Sequence, residues 1–166
     1  TMKNFSDQEN SSYKLIYSEI FMSFLLLKKN GIFICKIFDI FTENTIRLLY
    51  LVYLNFEKVH IYKPCLSRST NSERYIVCEG YKGYNKNFIN LMIHCFHKKL
   101  DIEVSDLFRS TINYYSVQYT IEQITDINRG VCMLSQNIPS TPRKEQITIA
   151  TEWCKKYNVS THNLVT

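Results

Sequence analysis

Gly31-Ile-Phe-Ile-Cys-Lys-Ile-Phe38 is the stretch on which the reading of this chain turns. Its apolar and β-branched residues run on without the polar alternation of a half-buried strand, the pattern of a strand covered on both faces in a parallel sheet. A central strand is therefore expected here. Lys36 is its anomaly, because lysine is almost never buried without a partner or a purpose. Upstream, Leu15, Ile16, Ile20, Phe21, Phe24, Leu25 and Leu27 recur at three and four, predicting a helix over Ser11 to Lys29 with Ser11 or Ser12 as N-cap. Asn30-Gly31 stops it, with Gly31 in the left-handed position.

Downstream, Thr42 caps a second helix reaching about Asn55, with Ile46, Leu49, Leu51, Val52 and Tyr53 on or near its buried side. Phe56 to Tyr62 then alternates as a strand, so strand, helix and strand form a right-handed crossover. Lys63 to Ser72 is a polar loop, and Glu73 to Tyr81 is a third strand centred on Tyr75-Ile76-Val77-Cys78. A loop this short suits an antiparallel neighbour. From Asn85 the pattern turns helical: Phe88 to Lys99, Val104 to about Asn128 with a break, and Pro142 to Tyr157, the last with Thr141 as N-cap, Pro142 at N1 and Asn158 at C′. Two regions result, an α/β part over 1–84 and a helical extension over 85–166, packed on or beside it.

The 166 residues, 45% of them hydrophobic, match one compact domain. With four glycines and neither GxGxxG nor GxxxxGK[ST], a complete nucleotide-binding site is not expected within the chain. A net charge of +5 favours a polyanionic partner only mildly. The six cysteines show no CxxC and no regular spacing, which points to free thiols in an intracellular protein, in nucleus, cytoplasm or viral factory. His94 and His97 read as packing or surface residues and not as metal ligands. The chain opens on no signal peptide, and Ile20 to Leu27 is too short to span a bilayer, so no membrane partner is expected.

The chemistry gathers at one edge. A third strand antiparallel to the first begins where the first ends, which sets Glu73 near Lys36 at the carboxyl edge where open α/β sheets bind ligands. A carboxylate within hydrogen-bonding reach positions a lysine amine, and desolvation or a second cation favours the neutral amine that can take up a proton. A structural ion pair, or a strand-end lysine snorkelling to solvent, would leave the same residues in place. The loop Lys63-Pro-Cys-Leu-Ser-Arg-Ser-Thr-Asn-Ser72 sets two cations among five hydroxyl or amide side chains beside that edge, a mixture that holds phosphate and ribose but is also common in surface loops.

Together, Gly31 to Thr42, Phe56-Glu-Lys-Val59, Lys63-Pro64, Ser67-Arg68 and Asn71-Ser-Glu-Arg-Tyr-Ile-Val-Cys-Glu-Gly80 resemble the closing half of FtsJ-like ribose 2′-O-methyltransferases, above all their cellular cap-specific mRNA branch. Gln8-Glu9-Asn10 and Arg143 to Val159 are similar to that branch as well. The resemblance implies an α/β fold, the C-terminal half of a Rossmann-like S-adenosylmethionine-dependent methyltransferase sheet, with three strands of which the last is antiparallel and inserted between the other two. It implies S-adenosylmethionine as methyl donor, capped mRNA as partner and a Lys-Asp-Lys-Glu tetrad. Lys36 matches the central lysine and Glu73 the glutamate. Lys63, Ser67, Arg68, Asn71 and Ser72 would line the RNA side, and Phe38 is the one candidate cofactor contact. The first lysine and the Gly-rich loop are expected upstream and the aspartate just before Thr1, so the 166 residues are expected to be inactive alone. Two other readings fit the residues: a catalytically inactive RNA-binding or scaffold module on half of the fold, and a helical interaction domain over 85–166 that would show an exposed apolar patch.

Overall fold

A computed structural model describes residues 8–65, 67–136 and 144–160. Its elements are α1 (Gln8–Leu26), β1 (Phe33–Ile37), α2 (Glu43–Asn55), β2 (Phe56–Tyr62), β3 (Arg74–Tyr81), α3 (Lys86–Cys95), α4 (Asp106–Ser135) and α5 (Lys144–Lys156). The sheet order is β1-β3-β2, and β3 runs antiparallel to both neighbours. The short loop predicted the antiparallel pairing of the third strand, and its place between the other two is the one the resemblance implies.

β3, and not β1, is therefore the middle strand. β1 forms an edge among the described residues, and its burial alternates: Cys35 and Ile37 are buried while Ile34 and Lys36 are exposed. The apolar run had suggested cover on both faces. Among the described residues only one face is covered, because α1, α2 and α4 all pack on the side carrying Cys35, Ile37, Ile76 and Cys78.

Each helix boundary has a local cause. Ser11 and Ser12 do not cap α1, since their hydroxyls donate back to the Gln8 carbonyl within the helix (3.1 and 2.8 Å). The buried stripe of α1 is Ile16, Tyr17, Ile20 and Phe24, with Leu15 and Leu25 exposed. α1 ends at Leu26, and Asn30, not Gly31, takes the left-handed conformation (φ 66°). Gly31 serves a different need, as a Cβ there would stand 2.8 Å from the Lys28 carbonyl oxygen. Thr42 caps α2 as expected, accepting from the Thr45 N–H, while Tyr53 at the far end of that helix is exposed. Asn85 and Ser105 cap α3 and α4. α4 runs for 30 residues without the expected break. Thr141 and Pro142 lie outside the described residues, but Asn158 is left-handed (φ 54°) and the Val159 N–H reaches the Cys154 carbonyl at 2.9 Å, a Schellman ending.

Aromatic rings fill the core where α1 crosses the sheet. Tyr81 is fully buried, stacks on Phe24 at 5.9 Å and donates its hydroxyl to the Phe24 carbonyl (2.7 Å), so its one polar atom is satisfied. Tyr17 does the same for α3 through the Met92 carbonyl (2.7 Å). All six cysteines are free. No helix among the described residues is long and apolar enough to cross a membrane, and none of their His, Cys, Asp and Glu side chains form a metal-sized group of three.

Arg109 of α4 is fastened to Glu43 of α2 by both terminal guanidinium nitrogens, and Arg47 adds a third contact to that carboxylate (2.9 Å). The Arg109 and Arg47 hydrogen bonds hold the Glu43 carboxyl well below its ordinary 4.5, at about 2. A depressed folded-state pKa contributes stability that is present above the unfolded value and is lost as pH falls toward the folded one. The melting-temperature gap between the parent chain and Glu43→Gln is thus expected to be open above pH 4.5 and to close between there and about 2. Thermal unfolding across that window checks it.

Candidate active site

Register places the site. Lys36 pairs with Tyr75 and Ile34 with Val77, so these four side chains share the open face of the sheet, opposite the core. Glu73 stands one residue before β3 with the same parity as Tyr75. The Lys36 ammonium lies 3.1 Å from Glu73 Oε2. Lys36 is not buried: its side chain is 45% exposed, because the edge strand leaves it room to lean over the Phe38 ring, 5.3 Å away. The amine is thus both anchored and reachable.

Glu73 is held from two sides. Tyr75 donates its hydroxyl to Oε1 at 2.7 Å while Lys36 takes Oε2, and these bonds, Tyr75 first, hold the Glu73 carboxyl below its ordinary range. The same bond raises the Tyr75 phenol.

The loop candidates fall into two groups. Lys63 turns inward, its amine bonded to the Asn71 carbonyl (2.8 Å), the Asn71 side-chain oxygen (3.0 Å) and the Glu73 carbonyl (3.2 Å). Burial, with the nearby Arg74 charge, lowers its pKa. Asn71 Oδ1 also accepts from the Glu73 N–H (3.2 Å) and lies 3.5 Å from Ser67 Oγ, so one carboxamide organises the turn into Glu73. Ser72 is buried, and its hydroxyl works with Arg74 against the burial that raises the Asp39 pKa. Arg68 is exposed on the loop's outer side, in a shallow cleft shared with Ser67, Ser69 and Gln146.

Beneath the pair is a charged cluster that sequence reasoning missed. Arg74 is only 3% exposed, sits 3.6 Å from Asp39, stacks over Tyr119 of α4 (4.4 Å) and reaches the Phe38 carbonyl at 3.5 Å. Burial lowers the Arg74 pKa and, against the pull of Arg74, raises that of Asp39, so desolvation outweighs the attraction at this separation. The signal was legible in principle. Alternation along β3 puts residue 74 on the same face as Ile76 and Cys78, and residue 75 on the face of Lys36.

The site is thus an ion pair at the carboxyl end of an edge strand, braced by a polar loop. The FtsJ-like methyltransferase family model matches residues 1–81, a little under half of the chain. It is 36% identical over 126 residues to the cap-specific mRNA (nucleoside-2′-O-)-methyltransferase 1 of Dictyostelium discoideum, covering 76% of this chain and 16% of that protein. The human protein of the same name is 45% identical over 75 residues, covering 45% of this chain and 9% of its own length, and that of Xenopus laevis is 44% identical over an equal span. The chain therefore spans less than a fifth of the relatives it matches.

Proposed function

We propose that this chain is the closing part of an S-adenosylmethionine-dependent mRNA cap ribose 2′-O-methyltransferase of Rossmann-like fold, with Lys36 as the base. The observation that carries this is the Lys36–Glu73 contact of 3.1 Å at an accessible strand end, on residues inside the family match. S-adenosylmethionine, when bound, supplies the methyl group. The residues at hand fit only the rim of its site: the Phe38 ring beside Lys36 offers an aromatic face to a cationic centre, while the resemblance puts the Gly-rich loop upstream of Thr1.

Lys36 takes the proton of a ribose 2′-hydroxyl as that oxygen attacks the methyl carbon. Glu73 receives a hydrogen bond from the amine and fixes its direction, which supplies rate through orientation. Arg68 faces outward and meets phosphate, with half-buried Ser67 beside it on the ribose side; Lys63, Asn71 and Ser72 hold the loop that presents them. The 166 residues are inactive without the donor-binding half.

Label transfer from S-adenosylmethionine to capped and uncapped short RNAs, with the complete protein beside these 166 residues, tests the reading. Label on capped RNA from the complete protein alone is the expected result. No label from either, with RNA still bound, overturns it in favour of a scaffold.

Tyr75 acts through Glu73 as a positioning residue. Tyr75→Phe is expected to slow transfer roughly tenfold, about the worth of one hydrogen bond to a charged group. It should also move the Glu73 carboxyl titration upward, read by carbon NMR of that side chain, since the carboxyl loses the first of the bonds that lower it. A slower enzyme with an unmoved Glu73 titration would assign Tyr75 a structural role.

A further inference from the structure

We infer that α4 aims the RNA side of the site, with Gln123 as a positioning residue that acts through Arg68; the inference rests on the RNA role proposed for that loop. The helix lies beyond residue 81, outside the family match. Arg109, Ile112, Ser116, Tyr119 and Gln123 follow one another at three and four along it and so share one face, about 21 Å long. Along that face the contacts step from the core to the loop. Arg109 pairs with Glu43 of α2 and Ile112 is buried, then Ser116 donates to the Ile40 carbonyl (3.1 Å) and Tyr119 underlies Arg74 of β3. Last, the Gln123 amide donates to the Thr70 carbonyl (3.1 Å). A helix that only packed would carry apolar side chains at 116 and 123. Both instead donate to carbonyls of the two connections that flank the site, one leaving β1 and one entering β3.

The loop needs support on that side. The Asn71 N–H closes on the Arg68 carbonyl (3.2 Å), so Arg68 to Asn71 is a β-turn with Ser69 and Thr70 at its corners. Its Asn71 end is gripped by the Lys63 amine (2.8 and 3.0 Å), which also takes the Glu73 carbonyl (3.2 Å). That grip serves Glu73. Arg68, Ser69 and Thr70 are exposed, and a turn held at one end swings about it. Gln123 takes the Thr70 carbonyl beyond that end, so the turn is held at two points and Arg68, at its start, keeps one direction. A guanidinium already aimed loses less freedom when a phosphate immobilises it, and the difference appears as affinity.

Fluorescence anisotropy with a 3′-labelled capped RNA, beside hydrogen exchange read by mass spectrometry, tests this on the complete protein. Gln123→Met keeps the length of the side chain and loses the donor. It is expected to raise the Kd for the RNA roughly fivefold, and to speed exchange by about as much in peptides spanning Ser67 to Asn71, the worth of one neutral hydrogen bond. Peptides from Tyr75 to Cys78 should exchange as before. Gln123→Lys, whose ammonium still donates to the Thr70 carbonyl, should restore slow exchange in the loop. Arg68→Ala should itself weaken binding about tenfold or more, the worth of a hydrogen bond to a charged group. In that background Gln123→Met should add little, because the side chain it aims is gone. Unchanged loop exchange in Gln123→Met, unchanged binding, or an equal loss with and without Arg68 overturns the inference alone. Arg68→Ala without effect on RNA binding overturns the loop's part in the proposed function, and the role of α4 with it.

Discussion

Lys36→Ala in the complete protein is expected to reduce methyl transfer by at least about a hundredfold, the lower end of what a positioned general base contributes. The fold should not notice. The Lys36 side chain is 45% exposed on the open face of an edge strand, its one ion pair is solvent-facing, and surface changes of this kind fall within about 0.5 kcal/mol. Activity and stability therefore separate in one variant, read by label transfer from S-adenosylmethionine beside a thermal melt. Lys36→Arg sharpens the test. A guanidinium can keep the contact to Glu73 but does not give up its proton at any working pH, so an ion-pair role would be rescued and a base role would not. Retained transfer in Lys36→Ala, or rescue by arginine, removes Lys36 from the proton-transfer step.

The sequence made this pair visible because both residues lie in continuous segments whose strand order follows from loop length. A ten-residue connection between Tyr62 and Glu73 can return the chain only as an antiparallel neighbour, and that brings the start of the third strand to the end of the first. What escaped notice depends on which face is covered. The apolar run of β1 suggested burial on both sides, but whether Ile34 and Lys36 are covered is decided by what lies against the sheet, and an apolar run does not carry that information. The Arg74–Asp39–Tyr119 cluster was hidden for a related reason: it joins residues from β3, the β1–α2 loop and α4, and a contact 45 positions away leaves no local periodicity. The Asn30 and Gly31 reversal is smaller and equally physical. Asparagine tolerates the left-handed turn, which frees the glycine for the point where the chain passes the Lys28 carbonyl.

Arg74→Met is expected to be the most destabilising single change at the site, by about 3 kcal/mol, in urea unfolding of the 166-residue chain. The arginine is 3% exposed and its partner Asp39 is set in a pocket that already raises its pKa, so removing the cation strands a desolvated carboxylate beside Ser72. A group whose folded-state pKa is raised costs stability as pH climbs past its unfolded value of 3.8, and without Arg74 the rise is larger. The deficit of Arg74→Met should accordingly grow from about pH 4 upward and shrink below it, when Asp39 binds a proton. Adding Asp39→Asn removes the stranded charge, so the double variant should recover most of the loss, as buried ion pairs replaced together often do. A deficit independent of pH and not relieved by Asp39→Asn would mean that Arg74 holds the fold through its stack on Tyr119 instead. The distinction bears on the site, because Arg74 directly follows Glu73 and bonds the carbonyl of Phe38, two residues beyond Lys36. Of the two routes, only the charge-mediated one passes through Asp39 and Ser72 into the loop that presents Glu73.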